Sequence, residues 1–551
     1  MPREHACHPL TVKEEPAVGR HRGLSRERIS VPRAPGMEAP EMTGDGKWEW
    51  SQEEIKRMGY QVVDLIAEHL VRLPDDPVFR PFPAELADRY LNSSVPESGA
   101  DWDEILETFA TEIAPFPFGN GHPRFYGWVN SPPTVISIFA EALAAAMNPS
   151  CAGGNHAAIY VERQVIDWFR QILGFPARAM GLLVSGGSAA ALTALAAARQ
   201  SKCGFDVRTL GLRASEARMT FYRSSETHGC YQKAIELMGF GSESMVTVER
   251  DSAMRMIPSA LDRAITADRR DGRMPIAVIA SAGTVNGGAI DPLAEIADVC
   301  ERHDVWFHVD GAYGAPAILN SKYVDALSAI ARADSVALDP HKWLYIPVEA
   351  GLVLVREGSV LRQTFSLIPP YLQTEGEPEG VGGLPWFSEY GFQQTRAFRA
   401  LKVWMALRHH GLAGYRVSIE KDLALAEYLT SLLKSRDDFE VFEPQSLSIV
   451  CFRYLPPGVS GDEQIMGSIN REILKTIQLG GEAFISSTVM DNKFWLRASI
   501  VNPRANKSDI EALYESLMAT LPRMGLGRLH TARVESLGGD SLATPKPVDR
   551  H

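Results

Sequence analysis

Between residues 180 and 355, short apolar runs alternate with helical patterns, and this alternation limits the fold more than any other feature. "GLLVS" reads as a strand and "SAAALTALAAARQ" as a helix. After them come "MTFYRS", "CYQKAIELMGF", "SMVTVE", "SALDRAITADRRDG", "PIAVIASAG", "PLAEIADVCERHD", "VWFHVDGA" and, after a gap, "SVALDP" and "GLVLVRE". Strand and helix in turn build parallel βαβ units, so the expected fold class is α/β, with a mostly parallel central sheet covered by helices on both faces.

Upstream, "WEWSQEEIKRMGYQVVDLIAEHLVRLP" predicts a helix that starts at a Ser51–Glu54 capping box and stops at Pro74. Its apolar stripe of Ile55, Met58, Val62, Ile66 and Leu70 needs a covering surface, in this chain or in a second subunit. Downstream, "TEGEPEGVGGLPWFSE" has the glycine and proline content of a mobile loop, and "TRAFRALKVWMALRHHG" reads as a long helix leading to a second α/β segment that ends near Leu521. The expected organisation is a disordered extension over 1–46, a helical N-terminal segment over 47–120, a large domain over 121–405, a small C-terminal domain over 406–525 and a disordered tail over 526–551.

Composition narrows the function. A formal net charge of -12 argues against a general binder of nucleic acid or anionic membrane. No apolar run approaches the roughly 18 residues of a membrane span, and the first 36 residues lack the apolar core of a secretory signal. The six cysteines are scattered without CxxC pairs, which suits a reducing cytoplasm rather than a disulfide or zinc framework. With no HExxH and only scattered histidines, no metal is expected.

Four polar residues end or follow predicted strands: His228, Thr284, Asp310 and Lys342. Side chains at the carboxyl ends of parallel strands converge on one crevice. A lysine for a covalent link, an acid against a ring nitrogen, an anion cup and a flat ring neighbour are what pyridoxal phosphate requires. Taken singly, each residue has a plainer reading: Lys342 as a solvated lysine, Asp310 as a helix cap, His228 as a turn histidine, and Gly186-Gly187-Ser188 as a simple strand-to-helix turn.

Together, "THGC", "GTVNGGAIDP", "HVDGAYG" and "DPHKWL" resemble the group II pyridoxal phosphate decarboxylases, most closely the aromatic L-amino-acid decarboxylase branch, from about Trp48 to Leu521. The resemblance implies an aspartate-aminotransferase-like (fold type I) large domain, a small C-terminal domain and an intertwined homodimer. It makes Lys342 the Schiff-base lysine, Asp310 the partner of the pyridine nitrogen, His228 the ring-stacking residue, and Gly187 and Ser188 phosphate ligands. Ala312, Thr284 and His341 complete the expected cofactor site, and Tyr371 in "SLIPPYLQ" matches a tyrosine that protonates the substrate carbon. The expected substrate contacts are Phe125, Trp128, Asn148, Ser150 and Arg396. Two departures stand out. Asp339 occupies the place of an asparagine, an awkward charge beside a phosphate, and Asn148 and Ser150 stand where the animal enzymes have apolar residues. The reading is decarboxylation of an L-amino acid, aromatic by resemblance, to an amine and CO2. Its rivals are an aldehyde synthase, a decarboxylase of a polar or acidic amino acid, and a non-catalytic dimer on the same fold.

Overall fold

The computed structural model describes residues 48–119, 121–367, 382–457, 459 and 461–521. A seven-stranded sheet forms the centre, built from β1 (Met180–Val184), β2 (Met219–Arg223), β3 (Met245–Thr247), β4 (Met274–Ser281), β5 (Trp306–Asp310), β6 (Ser335–Leu338) and β7 (Gly351–Val355). The order across it is β1-β7-β6-β5-β4-β2-β3. Strands β1, β6 and β7 are buried along their whole length, as expected of strands covered on both faces. The alanine-rich Gly187–Lys202 helix buries eight residues, small side chains that let it lie close over β6 and β7.

One strand departs from the parallel pattern. β7 runs antiparallel to both β1 and β6, while β2 to β6 pair in parallel. The link from β6 to β7 carries no crossover helix, and a parallel connection needs one. That link contains "DPHKW", so the chain folds back on itself at Lys342.

The second sheet is antiparallel, ordered β10-β11-β9-β8, from β8 (Phe439–Val441), β9 (Ile449–Tyr454), β10 (Ser486–Met490) and β11 (Lys493–Ser499). Its own core includes Leu429, Leu433, Phe452, Ile473, Leu496 and Ile510. The Ala400–Lys434 helix runs between the two cores and breaks at Gly411, whose φ of 61° and ψ of 171° are outside the helical range. Three hydrogen bonds on one carboxylate tie the units together near the lysine. The buried Asp422 carboxylate accepts from Trp343 Nε1 and Tyr345 Oη, both at 2.8 Å, and from the Asn502 N–H. Residues upstream of the main sheet also join the small unit, since Tyr126 N donates to Phe484 O at 2.7 Å and Phe484 N donates to Arg124 O at 3.1 Å.

The N-terminal helix spans Gln52–Arg72 with Ser51 and Glu54 forming the capping box, and none of its residues is buried. A second uncovered stripe, Val135, Phe139, Leu143 and Met147, runs along the Val135–Met147 helix. The expected extension over 1–46 and tail over 526–551 lie outside the described residues.

Candidate active site

A cavity of about 420 Å³ opens at the carboxyl ends of the central strands and is lined by Trp128, Gly187, Ser188, His228, Asp310, Ala312, Asp339, His341 and Lys342. Strand ends and helix starts place Asp310, His228, Gly187 and Ser188, and the turn after β6 places His341 and Lys342. Asp310 closes β5, and its Oδ1 accepts from the Ala312 N–H at 3.1 Å. His228 caps the Gly229–Leu237 helix, its Nδ1 accepting from Cys230 N at 3.2 Å. Gly186 precedes the Gly187–Lys202 helix with a φ of 136°, a conformation that favours glycine. The first-turn N–H groups of that helix have no acceptor within it and form an anion cup.

Lys342 Nζ sits 3.0 Å from Asp339 Oδ2. Burial by itself pushes the ammonium down, but the Asp339 and Asp310 carboxylates outweigh it and hold Lys342 above the ordinary lysine range. Burial raises Asp310, against the opposing pull of Lys342 and the Ala312 N–H. Burial lowers His228, with the charge of Asp310 acting against it, and its imidazole lines the cavity.

Several expected residues lie elsewhere. Arg396, expected at the substrate, is buried and committed to the Cys151 carbonyl at 2.9 Å, the Glu162 carboxylate and the Leu183 carbonyl. The Thr284 hydroxyl accepts from Ala289 N at 3.0 Å and closes the turn after β4 instead of lining the cavity. Phe125 stacks on Phe484, with centroids 5.1 Å apart, behind Trp128. Asn148 ends the Val135–Met147 helix in the left-handed region, and both it and Ser150 are exposed away from the cavity of their own chain. Tyr371 lies outside the described residues.

The residues present fit pyridoxal phosphate, with one tension. A Cβ on Gly187 would stand 3.0 Å from Asp339 Oδ2 and 3.7 Å from the Ala312 methyl, so only glycine leaves the cup open. Asp339 is buried beside that cup, and its Oδ1 has no hydrogen-bond partner. The awkward charge expected from the sequence is therefore a real neighbour of the anion cup, offset by Lys342.

Residues 83–455 match the pyridoxal-dependent decarboxylase conserved domain. The chain belongs to this family. This decarboxylase is 37% identical over 481 residues to the aromatic-L-amino-acid decarboxylase of Bacillus atrophaeus, covering 86% of the chain and 98% of that protein. It is 27% identical over 477 residues to the phenylacetaldehyde synthase of Arabidopsis thaliana, covering 84% of the chain and 95% of that protein. Among solved structures it is similar to Oryza sativa TDC with PLP and tryptamine, at a TM-score of 0.80 and 26% identity, covering 87% of this chain and all of that one. The decarboxylase thus has the fold type I architecture, uses pyridoxal phosphate and acts on an amino acid. Sequence reasoning passed over Tyr231, Tyr313 and Asn130, which also line the cavity. Tyr231, three residues after His228, and Tyr313, three residues after Asp310 in "HVDGAYG", carried a signal.

Proposed function

We propose that this decarboxylase converts an aromatic L-amino acid to its amine and CO2. The aromatic wall beside the cavity carries this reading. Trp128 is half exposed and stacks on Phe118 at 4.9 Å, while Phe118 packs edge-on to Phe125 and Phe484. A flat apolar side chain finds complementary surface there. No arginine lines the cavity among the described residues, so an acidic side chain would find no guanidinium partner.

Pyridoxal phosphate, when bound there, would supply an electron sink for the pair left by the departing carboxylate. Lys342 would supply the amine that attaches the cofactor. Asp310 would hold the proton on the ring nitrogen, because an opposite charge stabilises the cation. His228 would cover one ring face, and the Gly187 N–H and Ser188 hydroxyl would take the phosphate. Tyr371 returns a proton to the substrate carbon, so that the product is amine.

The aldehyde synthase reading keeps one support, the 27% identity to the phenylacetaldehyde synthase. In that reaction O2 and water are consumed, and aldehyde, ammonia, CO2 and hydrogen peroxide are released. Assays with tryptophan, tyrosine, phenylalanine, DOPA and glutamate decide: amine with CO2 and no peroxide is expected for the aromatic substrates. Y371F is expected to lose about a hundredfold in amine formation and to gain peroxide. Stoichiometric peroxide from the wild type sinks the decarboxylase product; turnover of glutamate alone sinks the aromatic one.

We infer also a homodimer, supported by the uncovered stripes of Gln52–Arg72 and Val135–Met147. Light scattering should give twice the chain mass, and removal of residues 1–75 should abolish it. A cytoplasmic location is consistent with five buried, unpaired cysteines among the described residues.

A further inference from the structure

Asp310 has a support behind it that none of the expected site residues explains. Trp306, His308 and Asp310 occupy alternate positions of β5 and so share one face of the sheet. Ser335 on β6 is the register partner of His308. Trp306 Nε1 donates to Ser335 Oγ at 2.8 Å, Ser335 Oγ lies 2.8 Å from His308 Nδ1, and His308 Nε2 lies 2.9 Å from the Tyr231 hydroxyl. All four side chains are buried.

The direction of the chain follows from its ends. An indole N–H only donates, so Ser335 accepts from Trp306 and has its own proton to place on His308 Nδ1. Burial pushes His308 down to about 3, so the ring is neutral and carries one proton, on Nε2. That N–H donates to the Tyr231 oxygen and leaves the Tyr231 proton pointing onward. The opposite tautomer would strand the Ser335 proton without an acceptor in the chain. Tyr231 lines the cavity together with Asp310, and its hydroxyl is raised well above its usual range by burial and then by the charge of that carboxylate.

We propose that Tyr231 is a positioning residue for Asp310, the last donor of a one-way buried chain from Trp306 through Ser335 and His308. Donors aligned in one direction polarise one another, so the carboxylate is stabilised in its charged form. With the Tyr231 hydroxyl gone, Asp310 would become the stronger base and would take the proton from the ring nitrogen of bound pyridoxal phosphate onto its own oxygen. No other bond changes. The proposal rests on the role of Asp310 at the ring nitrogen.

Holoenzyme carrying pyridoxal phosphate labelled with ¹⁵N in the ring reads this directly, and absorbance titration of the apoenzyme gives the cofactor dissociation constant. Y231F is expected to move the ring-nitrogen signal from the protonated toward the unprotonated position and to weaken cofactor binding about tenfold, the scale of one hydrogen bond to a charged group. S335A, two side chains away from Asp310, should move both in the same direction by about two- to threefold, because the effect is passed on through polarisation. An unchanged ¹⁵N signal in folded Y231F overturns the proposal. If Y231F does not fold, an unchanged signal in S335A overturns it. D310N separates the two levels: a signal that D310N does not move removes the assigned role of Asp310, whereas one moved by D310N but not by Y231F removes the relay alone.

Discussion

The two ends of the cavity are built by different physics. At the cofactor end, Asp310, His228 and Gly187 stand on strand ends and helix starts around one buried sheet, Lys342 sits in the turn after β6, and Asp310 and His228 are each pinned by a backbone N–H. At the mouth, Trp128 rests on Phe118, Phe125 and Phe484, which come from the segment before the sheet and from the small domain. Directional bonds fix the first end, and ring packing shapes the second. Substrate choice can therefore change at the mouth without disturbing the cofactor geometry.

The sharpest way to break this contrast is at the lysine. K342A should lose about a thousandfold or more of turnover, the scale of a missing covalent partner, while thermal melting shows the fold intact. Turnover within tenfold of the wild type would show that the cofactor end does not depend on this side chain.

His122 tests the mouth through pH. Its Nδ1 accepts from Arg124 N at 2.9 Å, its Nε2 contacts the Asp76 carbonyl at 3.0 Å, and its own carbonyl accepts from Asn502 Nδ2 at 2.9 Å. Burial pushes the imidazole down to about 4. A histidine depressed below its unfolded value near 6.5 contributes stability above that pH, and the contribution is lost as pH falls toward 4. Acidification from pH 7 to pH 5 should remove about 2 kcal/mol through this group, and H122N should flatten that slope in denaturant melts. An equal slope in both proteins would place the acid sensitivity elsewhere.

The smallest effect belongs to Trp128. W128A should raise KM for an aromatic substrate about tenfold, from lost apolar contact, and leave cofactor affinity unchanged in absorbance titration. A parallel loss of cofactor affinity would erase the distinction between the two ends.

Much of the cofactor end was legible in the chain, because its residues end apolar runs that can be read as strands. Asp310 follows "WFHV" and Lys342 follows "SVALDPH", and strands ending at one sheet edge bring such residues together. The mouth was less legible. Arg396 looked like a free cation near the site, yet it is spent on Glu162 and two carbonyls drawn from segments more than 200 positions away. Phe484 carries no local sign that it will pair with Arg124 and Tyr126 across the chain.

The sequence by itself determined the α/β class and the capped N-terminal helix, and it marked the lysine, acid and glycine turn proposed for the cofactor site, since periodicity and turn chemistry are local properties. Only the tertiary structure decided that β7 runs antiparallel and folds Lys342 back over the sheet, that Asp339 presses on the anion cup, and that Tyr231 stands behind Asp310 at the end of a chain begun by Trp306. Strand direction, buried charge and hydrogen-bond polarity depend on which distant segments meet. No window of residues along the chain contains that information.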